Sequence, residues 1–440
     1  MLRHFATSLE GIRDVSTGPV LSLEEEALVM DEAADTGAQI DGDLNEVERV
    51  IEVASGLEDL AVVADTIEEA TPQQLALVQV AGDLAVAGTD VTSDDLLPSL
   101  ESYKGGKISM EGLREIAQTV WQNIIQFLAK IWAQIEQFYH LLFSTIASTR
   151  ARLNALKERN KAAVSKKSEV KGIIVNVGVA AICVDYKPVT KESELLAALK
   201  NWDTAAEYTF NKHLDGVIAV ADVVVKSLAN FDPSKAVETA TQAKDDIAKV
   251  FSQQGKPPGV KGLDGKRFPG FTTSTGQALL GNVSLLVKAF NSQEGASVLG
   301  SLERFRQSGT ELGATKAEGD KLPAEVTFET LSNGAIDKVI AECEAILKTA
   351  ESYKTGSRSA QVKKTREALK AAGEKATAAM KKFPTEQNID SITAHYKALV
   401  NFNKSFVSWV KNPAGDMLRS SLTTVRAAMM LCSKSLDTYK

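Results

Sequence analysis

The stretch from Gly112 to Asn160 constrains the fold of this chain more than any other. Its apolar residues recur at steps of three or four, and neither proline nor glycine interrupts it after Gly112. That spacing predicts a single long amphipathic helix. The C-terminal end of the stretch turns basic, which suits the negative end of the helix dipole. We expect this helix to be the hub of the fold, through the aromatic residues Trp121, Trp132, Phe138 and Tyr139.

Three interpretations of this helix are open. It is a central core helix that other helices cover, an amphipathic helix on a membrane surface, or a helix that self-associates in a larger assembly. The aromatic residues and the basic flank are what suggest the membrane surface. A spanning helix needs ~20 mostly apolar residues. Lys130, Glu136 and His140 interrupt such a run.

The net charge changes sign where this helix begins. Residues 1–111 hold 24 Asp and Glu against 5 Lys and Arg, a net charge of −19. The totals of 57 acidic and 50 basic residues leave 33 and 45 for residues 112–440, a net charge of +12. An acidic piece joined to a basic piece points to a polyanionic partner or to an acidic tail.

The pattern along the chain predicts an all-α fold with a long central amphipathic helix. The apolar run at 172–186 is the exception, because periodicity does not separate a buried strand from a short core helix there. We expect an acidic, propeptide-like region over 1–111 and a helical domain over 112–251. A basic linker rich in Gly and Pro follows at 252–276, and a C-terminal helical domain at 277–440, starting with a helix near 278–306.

The sequence contains no recognisable catalytic constellation. The four histidines are scattered, and His213 close to Asp215 indicates a surface or capping pair. Gly259–Lys266 differs from a phosphate-binding loop in glycine spacing, and Arg267 stands where Ser or Thr would hold magnesium. We therefore expect no enzyme, no cofactor and no bound metal. The cysteines lie far apart in the sequence, which predicts small buried residues in a reducing compartment; they are Cys183, Cys343 and Cys432.

Basic residues in the predicted linker are candidates for contact with phosphates. Such a flexible basic segment binds phosphate groups without distinguishing one base sequence from another. The candidates are Lys256, Lys261, Lys266 and Arg267.

A short tripeptide lies at the charge boundary. Ser109–Met110–Glu111 precedes Gly112 and fits the pattern of a small residue, then any residue, then glutamate. It is also a reasonable helix start, with Ser109 as N-cap and Glu111 in the first turn. The same pattern occurs at 8–10, 22–24, 99–101, 236–238 and 372–374. Position distinguishes the copy at 109–111, because a cut there separates the surplus of acid from the surplus of base.

Residues 97–160 resemble the internal head proteins (inner body or prohead core) of giant phiKZ-like tailed bacteriophages. The resemblance is carried by ESYKGGKISMEGLREIAQTVWQNIIQFLAKIWAQIEQFYH and by ASTRARLNALKERN, and it extends over about the first 165 residues. In that family an acidic propeptide precedes a Ser/Ala/Gly-x-Glu cut by the prohead protease. A Trp-rich amphipathic helix and an Arg/Leu segment then follow.

The resemblance implies a structural virion protein inside the capsid. The protein would be made in the host cytoplasm as a precursor and cleaved by the prohead protease. Its partners would be that protease, other head proteins and packaged DNA bound without sequence specificity. The alternative is a membrane-active or pore-forming helical protein masked by its acidic N-terminal segment, with a membrane as the less favoured partner.

Overall fold

The structure is a computed structural model. It describes residues 32–33, 35–44, 110–262, 271–290, 297–315, 321–355, 357–382 and 389–440, with no description of the side chains at 110–129, 354–357, 381–382 and 389–390. The chain divides into two compact units. The smaller comprises Asp35–Glu136 with Thr385–Thr393, and the larger comprises Met1–Ala34, Gln137–Pro384 and Ala394–Lys440.

The first long helix, α1, runs from Met110 to Ala162. Its apolar positions form one buried face, which includes Phe138, Leu142 and Ile146, while Glu136 and His140 are exposed. This amphipathic pattern is the one that the sequence predicts. The central position of α1 in the fold is a separate claim, and it remains a prediction.

In the smaller unit, α1 carries a polar contact beside its buried residues. Ile131, Trp132 and Ile135 are buried there, as is Ile40 in the helical residues 35–44. Gln134 Nε2 donates a hydrogen bond to Asp43 Oδ2 at 2.9 Å. Trp132 Nε1 donates to Glu136 Oε1 at 2.8 Å, so the indole buries its ring without losing its hydrogen bond.

The larger unit is built mainly from helices. They are α2 (Glu192–Glu207), α3 (Leu214–Ala229), α4 (Ala236–Gln253), α5 (Val298–Gln307), α6 (Asn333–Thr355), α7 (Ser357–Lys382), the later residues of α8 (Ile389–Val400), α9 (Phe402–Lys411) and α10 (Ala414–Asp437). The residues of α8 up to Thr393 belong to the smaller unit. A π-helical turn, Tyr208–His213, joins α2 to α3. The helical pattern predicted from 192 to 230 is thereby confirmed.

Helix-on-helix packing forms the core of this unit. Helix α2 packs on α6, α3 on α7, and α10 on α6. Trp202 of α2 is fully buried, and its Nε1 donates to Ser421 Oγ of α10 at 2.8 Å. Satisfying the indole N–H lets this large side chain occupy the core without an unpaired polar group.

In the described part of the chain, three small antiparallel sheets correct the all-α prediction to mostly α. Strand β1 (Gly172–Val175) pairs with β8 (Val326–Glu329), and β2 (Cys183–Val184) pairs with β3 (Lys187–Pro188). The third sheet has the order β4-β5-β6-β7. Its strands are β4 (Lys261–Gly262), β5 (Thr272–Thr275), β6 (Val283–Ala289) and β7 (Gly309–Ala314). The short strand considered at 172–186 is confirmed.

Strand β6 contradicts the first part of the predicted helix near 278–306, whereas α5 is helical in the last part of that range. Strand β7 adds a further strand to the predicted helical domain at 277–440. The sequence VSLLVKA of β6 is a short apolar run, which has no periodicity that separates strand from helix. Its strand state depends on β5 and β7, with Leu285 opposite Leu312 across the ladder. Residues 252–276 likewise contain strands β4 and β5, in addition to the glycines and prolines that suggested a linker.

Candidate processing site and basic surface

The candidate processing site lies where the first long helix begins. Met110 is the first residue of α1, and Glu111 and Gly112 continue the helix. Ser109 lies outside the described residues, as do the side chains of the other three. A protease that binds an extended segment would therefore have to unwind the first turn of α1. That cost is small at a helix end, where backbone groups lack intrahelical partners.

Two other copies of the tripeptide lie inside folded helices. Ala236 begins α4 and is 1% exposed, and Ala372 lies within α7 and is 4% exposed. Their backbones are engaged in helical hydrogen bonds, and the small residue of each is buried. These copies are poor protease substrates in the folded protein. The copies at 8–10, 22–24 and 99–101 lie outside the described residues.

The predicted aromatic hub falls partly in each unit. Trp132 belongs to the smaller unit and is 4% exposed, whereas Phe138 and Tyr139 belong to the larger unit. The side chain of Trp121 lies outside the described residues. Burial of the three described residues favours the core interpretation of this part of α1.

Tyr139 connects α1 to two other helices. Its ring stacks on Tyr353 of α6, with the centroids 4.9 Å apart, and its hydroxyl donates to the carbonyl of Val410 in α9 at 2.9 Å. Burial, with a further contribution from the Tyr353 phenol, raises the pKa of Tyr139 well above its usual value. The phenol therefore stays neutral and acts as a hydrogen-bond donor.

The candidate phosphate contacts are divided between described and undescribed residues. Lys256 and Lys261 are exposed, and Lys261 lies in β4 opposite Thr275. Lys266 and Arg267 lie outside the described residues. The two described ammonium groups are accessible to a phosphate. Lys261 stands on a strand, in contrast to the flexible segment that the sequence suggested.

His213 contradicts the predicted surface pair with Asp215. The imidazole is buried, with Nε2 3.3 Å from the carbonyl oxygen of Trp409 and Nδ1 without a hydrogen-bond partner. Desolvation lowers the pKa of His213 to about 4. Asp215 instead forms an ion pair with Arg358. No sequence signal marks this separation, because the spacing of two residues that lie two positions apart does not show which of them meets the core.

Metal binding and membrane crossing both find no support in the described residues. No group of three or more His, Cys, Asp or Glu side chains in these ranges has an arrangement that could hold a metal ion. Across the same part of the chain, no helix combines the length and the apolar content needed to cross a membrane. The three cysteines are buried and unpaired, as predicted: Cys183, Cys343 and Cys432.

The fold and its surface define a mostly α-helical protein with small antiparallel sheets and an exposed basic segment. The chain matches the family of phiKZ-like phage internal head proteins over residues 22–434, and it belongs to that family. It is therefore a structural protein of the phage head, located inside the virion head. The match extends well beyond the first 165 residues that carry the resemblance in the sequence. No curated protein and no solved structure matches the chain.

Proposed function

We propose that this internal head protein is made as a precursor, cleaved after Glu111, and retained in the head as a basic, non-enzymatic polypeptide bound to packaged DNA. The observation that supports this most is the charge boundary. The net charge is −19 before the candidate cut and +12 after it. Synthesis in the host cytoplasm and cleavage by the prohead protease belong to the same proposal.

The charge boundary gives cleavage a physical consequence. The acidic segment lowers the affinity of the precursor for nucleic acid, because phosphates and carboxylates repel one another. Removing it leaves a polypeptide of net charge +12 among densely packed phosphates. Binding then draws on counterion release and is independent of base sequence. Exposed lysines such as Lys256 and Lys261 are where such contacts would form.

The structure supports the choice of the boundary tripeptide over two of its copies. Cleavage after Glu238 or Glu374 would require a helix within the larger unit to open. Cleavage after Glu111 requires only the first turn of α1 to open. Opening a helix end costs much less than opening the packed interior of α7, where Glu374 lies. Glu238 lies in the first turn of α4, but there the buried Ala236 would have to leave the core.

The test is mass spectrometry of the N-terminus of this protein in purified particles. A mature chain that begins at Gly112 supports the proposal, and a chain that retains residues 1–111 overturns it. The proposed DNA binding is tested separately. The affinity for random-sequence duplex DNA is measured for mature protein extracted from particles and for the uncleaved precursor. The mature form should bind more tightly, with a log–log salt slope of roughly −0.9 per phosphate neutralised. Equal, salt-insensitive binding by both forms would contradict the charge mechanism.

A further inference from the structure

One stretch of the larger unit exposes aliphatic and cationic side chains together. It follows the C-terminal end of α1 and continues into β1. Its exposed aliphatic residues are Val164 (69% exposed), Val170 (48%), Ile174 (59%) and Val177 (72%). Exposed lysines lie between them at Lys166, Lys167 and Lys171. We call residues 164–177 together with Lys434 the lysine–valine strip.

The pairing of β1 with β8 determines which residues of the strip are exposed. Ile173 and Val175 are buried, so the alternation of a strand places Ile174 on the opposite, exposed face. The part of the strip before β1 is bound by residues that follow the C-terminal end of α10. Ser168 bridges to Tyr439, and Thr438 Oγ1 donates to Ser168 Oγ at 2.7 Å. The strip is thus an ordered surface.

The outer edge of β1 is partly occupied by a side chain. Lys434 Nζ donates to the carbonyl oxygen of Ile174 at 3.1 Å. An added strand would need that carbonyl for its own ladder, so this contact disfavours strand addition by a peptide. The strip therefore offers a partner mainly aliphatic side chains and ammonium groups.

The charge of the strip is positive after its acidic neighbours are considered. Glu169 lies 3.7 Å from Lys440 Nζ, and Glu329, opposite Gly172, accepts a hydrogen bond from the backbone N–H of Glu192. Among the described residues, Lys166 and Lys171 form no ion pair within 4 Å. The occupant of this surface should accordingly be anionic.

We propose that the lysine–valine strip binds an anionic lipid surface. Cations next to exposed aliphatic residues suit the boundary between headgroups and acyl chains, where the lysines meet lipid phosphates and carboxylates and the aliphatic groups leave water. Duplex DNA satisfies the charge, but its phosphate backbone offers no means of burying four aliphatic side chains. This inference does not depend on the proposed cleavage or on DNA binding.

The test uses the full-length protein and sedimentation with vesicles. Vesicles of phosphatidylserine and phosphatidylcholine should bind the protein, and vesicles of phosphatidylcholine alone should bind it weakly. The variant Lys166→Gln/Lys167→Gln/Lys171→Gln should lose on the order of 100-fold in vesicle affinity, at about fivefold for each cation. Ile174→Ser/Val177→Ser, which keeps the charge, should lose roughly tenfold.

Two control variants and a DNA measurement complete the design. Lys226→Gln/Lys235→Gln/Lys249→Gln removes three exposed lysines elsewhere, and Val237→Ser removes an exposed valine of α4. Both should bind vesicles like the wild type. The aliphatic double variant should bind random-sequence duplex DNA with the same affinity as the full-length wild type. Matching thermal unfolding curves would show that each variant is folded, which is expected because every substituted side chain is exposed.

Three outcomes would overturn the inference. The first is a wild-type protein that does not bind the mixed vesicles, and the second is an aliphatic double variant that binds them fully. The third is a combined result, in which the triple lysine variant loses DNA and vesicle affinity equally and the aliphatic double variant loses neither. That result would assign the strip to nucleic acid.

Discussion

Asn160 and Asn333 exchange hydrogen bonds in both directions. Asn160 Nδ2 donates to the backbone carbonyl of Asn333 at 3.0 Å, and Asn333 Nδ2 donates to the backbone carbonyl of Asn160 at 3.2 Å. Asn160 Nδ2 also donates to Asp337 Oδ1 at 2.8 Å. The pair joins the C-terminal end of α1 to the first turn of α6, within the larger unit.

Replacing Asn160 with Ala should destabilise the protein by about 1–3 kcal/mol, because loss of the buried amide leaves its partners unsatisfied. The matched control is Asn230→Ala, which removes an exposed amide bonded only to the Lys226 carbonyl among its described contacts. That change should cost less than ~0.5 kcal/mol. Urea unfolding measures both, and equal effects would show that the Asn160–Asn333 pair contributes nothing specific.

The ring of Phe138 leaves no space for a side chain at Gly415. A Cβ at position 415 would lie 2.4 Å from Phe138 Cε1, well inside van der Waals contact. Gly415→Ala should therefore cost about 1–3 kcal/mol. Gly373→Ala, whose Cβ would make an ordinary 3.5 Å contact with Asn403, should stabilise α7 by about 0.5–1 kcal/mol. The cost of Gly415→Ala should fall when Phe138 is replaced by Leu, and additive effects would rule out this contact as the cause.

Substitution of Trp132 tests whether this part of α1 belongs to the hydrophobic core. The side chain is 4% exposed in the smaller unit. Trp132→Ala should cost about 3–5 kcal/mol if the ring is part of a packed core. Glu136→Gln, which keeps an acceptor for the indole N–H, should cost far less. A melting curve unchanged by Trp132→Ala would favour a helix face turned to a membrane or to another molecule.

His213 should make stability depend on pH. Burial lowers its pKa to about 4 from the ordinary 6.5, so the folded state keeps the imidazole neutral. Between these values the unfolded state binds more protons, and stability falls as pH decreases from 6.5 to 4. The full effect is on the order of 3 kcal/mol. Denaturant titrations at several pH values should show a smaller fall for His213→Gln than for the wild type.

The control for this pH effect is His140→Gln, which replaces an exposed histidine of α1. It measures how much the loss of a surface histidine by itself alters stability at each pH. If His213→Gln and the wild type lose the same stability between about pH 4 and 6.5, carboxylates account for the acid sensitivity and the buried imidazole does not.

The processing proposal predicts a single decisive carboxylate. Glu111→Gln keeps the size of the side chain but removes its charge, and it should block maturation. Glu238→Gln alters the Ala-x-Glu copy in α4 and should leave the mature N-terminus unchanged. Mass spectrometry of particles made with each variant compares them. A protein that still begins at Gly112 in Glu111→Gln particles would show that the protease does not recognise this tripeptide.

Local sequence pattern was sufficient for the long helices. The step of three or four residues predicts α1 and the helical run from 192 to 230, because a single helix repeats its buried face along its own sequence. The family resemblance likewise depended on contiguous residues. The exposure of Lys256 and Lys261 agrees with their polar surroundings, whereas the use of these lysines in DNA binding stays a prediction.

Tertiary structure decided the sheets, the burial of His213 and the lysine–valine strip. Strand β6 depends on partners at 272–275 and 309–314, and no local period encodes pairing between such distant segments. The lysines and valines of 164–177 are visible in the sequence, but only the pairing of β1 with β8 buries Ile173 and exposes Ile174. Sequence alone determined the long helices and the charge boundary, because both are properties of neighbouring residues. Which side of each short strand meets water depended on contacts that only the folded chain makes.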